Sequence, residues 1–226
     1  MATPEQGTSA TRVLQGLESD SSSVRLRVVM AVGTAADERF VTTLVERCAR
    51  EPDFSVREAL TWALTRYPAE VTVPLLVGEL RSENPQARSQ ALHTLSKIGD
   101  RRAWPAVTRG LLTDPDEEVA RTAWRAAVVL VPENEGAELA GVLVSQLGRG
   151  GHEMQRSLSR ALVALGEAAV PLLRGAAVDS VPRVRRHAIA TEHLSRDPDA
   201  GFAVAVEEAK RVVALGSVAP EGDGSC

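Results

Sequence analysis

The sequence predicts an all-α protein, a right-handed α-solenoid of about six stacked helix pairs. Three observations carry that expectation: a short helical phrase returns six times, a proline recurs at a nearly fixed distance behind three of the copies, and capping residues mark the helix starts. Internal periodicity is weighed first because it decides the fold.

The recurring phrase begins on an apolar residue, usually followed by Arg, and continues as a small and apolar helix. Its copies are VRLRVVMAVG from Val24, VREALTWALT from Val56, ARSQALHTLSKIGD from Ala87, VARTAWRAAVVL from Val119, MQRSLSRALVALGE from Met154 and VRRHAIATEHL from Val184. The steps between these anchors are 32, 31, 32, 35 and 30 residues. Pro74 and Pro105 each lie 18 residues behind their anchors and Pro171 lies 17 behind, in the phrases TVPLL, AWPAV and AVPLL. Proline fits the first turn of a helix, where no intrahelical N–H bond is lost. Each repeat therefore reads as a helix A, a tight turn, and a helix B opened near its proline.

EPD precedes the second copy, ENPQ the third and DPDEE the fourth. Asp and Asn cap helix N-termini, and acidic first turns suit the helix dipole. Gly33, Gly99 and Gly166 mark helix ends, since glycine enters the left-handed conformation freely. The helices are expected to run about 12–16 residues. Within the third copy, Ala91, Leu92, Leu95 and Ile98 form one apolar stripe, with Arg88, Gln90 and Lys97 mostly off it. One pair cannot bury such a stripe alone, whereas stacked pairs bury it against each other.

Composition agrees. Hydrophobic residues make up 44% of 226 residues but aromatics only 3%, so the core must be built from Ala, Val and Leu. The same scarcity argues against stacking platforms for single-stranded nucleic acid. With 26 basic and 30 acidic residues the net charge is −4, and nothing global draws the chain to nucleic acid or an anionic membrane. No apolar run approaches the roughly 20 residues that span a bilayer, and MATPEQGTSATR lacks the apolar core of a secretory signal. Cys48 and Cys226 show no metal spacing. A cytoplasmic monomer is the expectation.

The W…LG…Y pattern of tetratricopeptide repeats and the TPLH turn of ankyrin repeats are both absent. The string D-x-x-V-R, small and apolar residues, L-x-x-I-G-D and a proline-led second helix resembles bacterial HEAT and HEAT-like repeats. DFSVREALTWAL and ARSQALHTLSKIGDRRAWPAV are its clearest copies. The resemblance covers about residues 19–216 and implies a HEAT/armadillo-like superhelix. Residues 1–18 are expected to be disordered or partly helical, and the polar 217–226 tail disordered. The pattern departs at Ala120 and Gln155, which replace the repeat Arg, and at PENEGAE and GRGGHEM, where uniform curvature is not expected. The whole chain is also similar to actinobacterial HEAT-repeat proteins, some of them joined to a MerR-like DNA-binding head. No such head is expected here, because the repeats begin near residue 19.

The repeat arginines Arg25, Arg57, Arg88 and Arg185 could form a phosphate-binding ladder. The resemblance implies instead that each bonds carbonyls or an acidic cap of a neighbouring repeat. It also implies that the B helices line a concave face where partners bind, a surface about 50 Å long for six layers. Arg101, Arg102 and Arg109, beside Trp104, fall on the third B helix and are the candidate partner-binding cluster. A charged, solvated face is the commoner explanation of such a cluster.

HEAT-like alkylpurine DNA glycosylases need a basic groove with Trp and Asp around a flipped base. Here Trp62 and Trp124 fall on A helices and read as packing residues. His93, His152, His187 and His193 offer no i, i+4 ligand pair. Ser89 and Ser159 lack a nucleophile elbow, and GRGG is not a P-loop. No cofactor is expected. Cys226 matches no CaaX box. The function expected is a non-catalytic scaffold or regulatory adaptor for a protein or peptide. The alternatives are a glycosylase-like or bilin-lyase-like enzyme subunit and an accessory to a transcription regulator.

Overall fold

The computed structural model describes residues 4–197 and 201–216. All regular structure among the described residues is helical, of the α-solenoid kind, in two compact units that divide after Leu130.

The first unit contains α1 (Pro4–Leu17), α2 (Ser22–Ala35), α3 (Val41–Cys48), α4 (Phe54–Leu64), α5 (Ala69–Glu79), α6 (Pro85–Ile98), α7 (Arg109–Leu112) and α8 (Glu117–Leu130). The A helices α2, α4, α6 and α8 pack side by side in sequence order, while α3 and α5 follow one another behind them. Residues 4–17, which the repeat pattern left outside the stack, form a helix that packs against α2. The caps follow the sequence: the Asp53 and Asn84 side chains accept from the amides of Val56 and Gln86, and Asp116 accepts from those of Glu118 and Val119. Between the helices sit buried Val29, Leu44, Leu60, Leu76, Leu92, Leu95 and a run of alanines. Trp124 is fully buried and its indole N–H donates to the Leu112 carbonyl at 2.8 Å.

The second unit holds α9 (Gly136–Val144), α10 (His152–Ala164), α11 (Val170–Ala176), α12 (Pro182–Arg196) and α13 (Phe202–Gly216). Here α12 packs on α10, α11 and α13. The expected tail 217–226, Cys226 included, lies outside the described residues, as do residues 1–3.

Four expectations are corrected. Gly33 does not end α2: it is buried inside the helix, and Ala36 takes the left-handed turn at φ 49°, its N–H bonded to the Val32 carbonyl. Gly33 serves proximity instead, because a Cβ there would stand 2.7 Å from the Ala63 Cβ and from Trp62 Cζ3. Gly99, by contrast, caps α6 at φ 71° as expected.

Pro74 does not open its helix either. α5 begins at Ala69 behind Pro68, so Pro74 sits in its interior, where it offers no N–H to residue 70. Of the three recurring prolines, Pro171 alone occupies a first turn. Pro105 lies inside a 3₁₀ segment, Arg101–Ala106, followed by the four-residue α7, so the third B element is not one continuous helix. Most B helices fall short of the expected 12 residues, as α3, α9 and α11 have 8, 9 and 7. Finally, Trp62 is 37% exposed and not a core residue, although its ring lies against Gly33.

Candidate partner-binding groove

The repeat arginines share one geometry. Each donates from Nη1 to the carbonyl six residues behind it: Arg25 to Ser19, Arg57 to Glu51, Arg88 to Ser82 and Arg185 to Asp179. Arg25, Arg57 and Arg88 also bond the carbonyl five behind. Two of them reach forward to an acid of the next repeat. Arg25 makes a bidentate pair with Glu51 at 2.7 and 2.8 Å, and Arg88 pairs with Asp114 at 3.0 Å. These are not free phosphate donors. The guanidinium ties the loop before its own helix to the loop before the next one.

Glu51 is the hub. It is fully buried and also accepts from Arg47 Nε and Nη2 and from the Asp53 amide. Burial alone would raise its carboxyl, but the bonds from Arg25, the Asp53 amide and Arg47 outweigh it and hold the pKa at about 2. Arg57 has no such partner. The corresponding loop position is Ser82, and its guanidinium lies 5.8 Å from the ring centre of Phe54 instead.

The sequence-derived residues lie on two short consecutive elements. Arg102 is engaged by Asp100 and by Glu70, the latter at 3.0 Å. Arg101 and Arg109 are exposed and Trp104 is half-buried, spread over the 3₁₀ segment and α7.

An open groove of about 690 Å³ lies elsewhere, across the A helices α4, α6 and α8. Its walls carry Phe54, Arg57 and Glu58 from α4, Pro85, Gln90 and His93 from α6, and Glu118, Arg121, Thr122 and Arg125 from α8. Three buried polar atoms in it have no hydrogen-bond partner: Gln90 Oε1, His93 Nε2 and Arg121 Nε. His93 Nε2 is 3.3 Å from Glu58 Oε1, within ion-pair range but off the hydrogen-bond direction. Burial lowers the His93 pKa against the pull of Glu58, with Lys97 and Arg125 adding to the lowering.

Sequence reasoning missed this groove because its residues come from three repeats, each about 31 positions apart. The available signal was the A-helix column Met30, Trp62, His93, Arg125, polar or exposed where a packed face would be aliphatic.

The second unit contains a buried Ser–His contact in which the imidazole is not placed as a base. Ser159 Oγ lies 3.0 Å from His187 Nε2 and 2.7 Å from Thr191 Oγ1, all three residues buried. The Gly148 N–H donates to His187 Nδ1, so Nε2 carries the proton and donates, leaving no free lone pair to activate the hydroxyl. Burial pushes the imidazole down to about 4, although the Gln155 carbonyl at Nε2 works the other way. Among the described residues, no three His, Cys, Asp or Glu side chains gather where they could hold a metal ion, and no helix is long and apolar enough to cross a membrane.

The fold and groove together define a helical-repeat protein with an open polar groove across its A helices. The HEAT-repeat profile matches residues 10–78 and 41–128, more than half of the chain. The chain belongs to the HEAT repeat family. No curated protein matches the sequence. Among solved structures it is similar to an engineered protein at 17% identity and a TM-score of 0.47, covering 84% of this chain and 98% of that one. It is similar to the complex of CpcE and CpcF of phycocyanin lyase from Nostoc sp. PCC7120 at 16% and 0.46, covering 99% and 91%. It is also similar to human deoxyhypusine hydroxylase in complex with glycerol at 17% and 0.45, covering 92% and 96%.

Proposed function

We propose that the protein is a non-catalytic, cytoplasmic scaffold or regulatory adaptor that holds a protein or peptide in the groove over α4, α6 and α8. The observation that carries this reading is one open channel lined by polar and charged side chains from three successive repeats, among them Arg57, Gln90, His93 and Arg121. A groove about 690 Å³ in extent and open along its length suits a chain segment lying across several helices. The side chains present bind and orient, and no nucleophile and base among them are paired for chemistry. The balanced charge favours a protein over nucleic acid. The likeness to actinobacterial HEAT-repeat proteins, some fused to MerR-like regulators, supports a regulatory setting.

The test uses immobilised protein and host lysate with two variant sets, both checked for intact helicity. One set alters the groove (Gln90→Ala with Arg121→Glu) and the other the B side (Arg101→Glu with Arg109→Glu). A protein retained by the native chain and the B-side set but lost from the groove set is the expected result. Loss from the B-side set alone would move the site back to the sequence-derived cluster.

A further inference from the structure

We infer that the second unit binds a small zwitterion with an apolar body, such as a free apolar amino acid, in a cavity between α10, α11 and α12. This site is separate from the groove over α4, α6 and α8 and does not depend on the scaffold reading. The cavity measures about 290 Å³ and is partly open to solvent. Pockets for small molecules run from roughly 300 Å³ upward, so the space suits one small molecule and not a length of chain. Buried Leu162 and Leu173 make its floor, with half-buried Val163 and Val170 beside them.

Four charged side chains stand around that floor: Glu167 on the 3₁₀ turn Gly166–Ala168, Arg174 on α11, and Glu192 and Arg196 on α12. Two are acids and two are bases, yet none of the four side chains has an ion pair or a hydrogen bond among the described residues. Glu192 and Arg196 stand at i and i+4 on one helix, the spacing at which such residues ordinarily pair, and still do not.

The repeat pattern shows how this corner came to hold a free acid. Asp37 and Asp100 lie thirteen residues behind their anchors Val24 and Ala87. Each accepts from the backbone amide of the Arg two residues on and pairs with its guanidinium, Arg39 in one case and Arg102 in the other. In the fifth copy the same position, thirteen behind Met154, is Glu167, and the Arg is replaced by fully buried Ala169. The turn opens without a side-chain cap. The internal ion pair of two copies is thus missing here, and its carboxylate is retained.

A singly charged ligand would be attracted by one pair of rim charges and repelled by the other, whereas a zwitterion is attracted by both. Its ammonium answers Glu167 and Glu192, its carboxylate answers Arg174 and Arg196, and its side chain covers Leu162 and Leu173, removing apolar surface from water.

The full chain is titrated by calorimetry and ligand-observed NMR with free leucine and phenylalanine. Three probes each lack one feature: glycine the apolar body, leucinamide the carboxylate and N-acetyl-leucine the ammonium. Saturable binding of leucine or phenylalanine with a Kd of about 1 mM or tighter is expected, with each stripped probe weaker by about tenfold. Arg174→Gln with Arg196→Gln should bring the leucine-to-leucinamide ratio to about one and spare the preference over N-acetyl-leucine. Glu167→Gln with Glu192→Gln should do the reverse. All four side chains are exposed or half-buried, and retained helicity confirms that the variants fold. No saturation by about 10 mM amino acid, equal binding of glycine and leucine, or preferences unmoved by both variant pairs overturns the inference.

Discussion

Replacing Glu51 with Gln tests the arginine hub directly. Glu51 is fully buried between Arg25 and Arg47, which are 5% and 8% exposed, and it accepts four guanidinium bonds between 2.7 and 2.9 Å. Gln keeps the shape but removes the charge, stranding two buried cations. Removing one partner of a buried pair costs about 3–5 kcal/mol. Two features reduce the cost here: Arg25 keeps the Ser19 and Asp20 carbonyls, and Arg47 keeps half-exposed Glu18 at 3.3 Å. A loss of about 3 kcal/mol at neutral pH is expected, in line with a carboxyl lowered from 4.5 to about 2. With a urea slope of roughly 2 kcal/mol/M the midpoint falls by about 1.5 M. All three tryptophans, Trp62, Trp104 and Trp124, belong to the first unit, so fluorescence follows that unit alone. Because the folded pKa is depressed, the wild-type advantage is complete above pH 4.5 and shrinks as pH falls toward 2, where the two proteins converge. A midpoint shift below about 0.3 M at pH 7, or a gap that persists unchanged at pH 2, would refute the hub.

Three further outcomes follow from the same structure. Gly33→Ala should destabilise the first unit by about 1–3 kcal/mol through overpacking against Ala63 and Trp62, whereas Gly78→Ala, in an exposed turn of α5 with nothing within 4 Å, should stabilise it by about 0.4–1 kcal/mol in the same urea titration. His187, lowered to about 4 from 6.5, must charge to unfold in acid; the second unit should lose up to about 3 kcal/mol between pH 6.5 and 4, read by amide exchange on α10 and α12, and His187→Gln should flatten that window. The Cys48 thiol, buried and pushed up to about 12, should resist a thiol reagent in folded Cys226→Ser protein and react promptly in urea.

The spacing of the Arg-bearing phrase made the repeats legible because one Arg does one job in the four copies that carry it: it must reach the same carbonyl six residues behind it. Caps at Asp53, Asn84 and Asp116 were legible for the same local reason. The prolines misled because they share sequence spacing without sharing a helix position, interior at Pro74, 3₁₀ at Pro105 and first turn at Pro171. Gly33 misled because a glycine needed for a neighbour's approach leaves the same letter as one needed for a left-handed turn. The groove was illegible for a different reason. Gln90, His93 and Arg121 each look like ordinary solvated helix residues, and only packing α6 against α8 shuts their polar atoms away from water.

The serine at position 82 gives the first unit two kinds of fastener. Ion-pair clasps fasten the loops on either side, from Arg25 to Glu51 and from Arg88 to Asp114, whereas between the loops before α4 and α6 the Asn84 and Gln86 side-chain amides do the job, donating to the carbonyls of Ala49, Cys48 and Glu51. The row of helices is thus held by ionic joints with a neutral one between them, so its seams differ in what can loosen them.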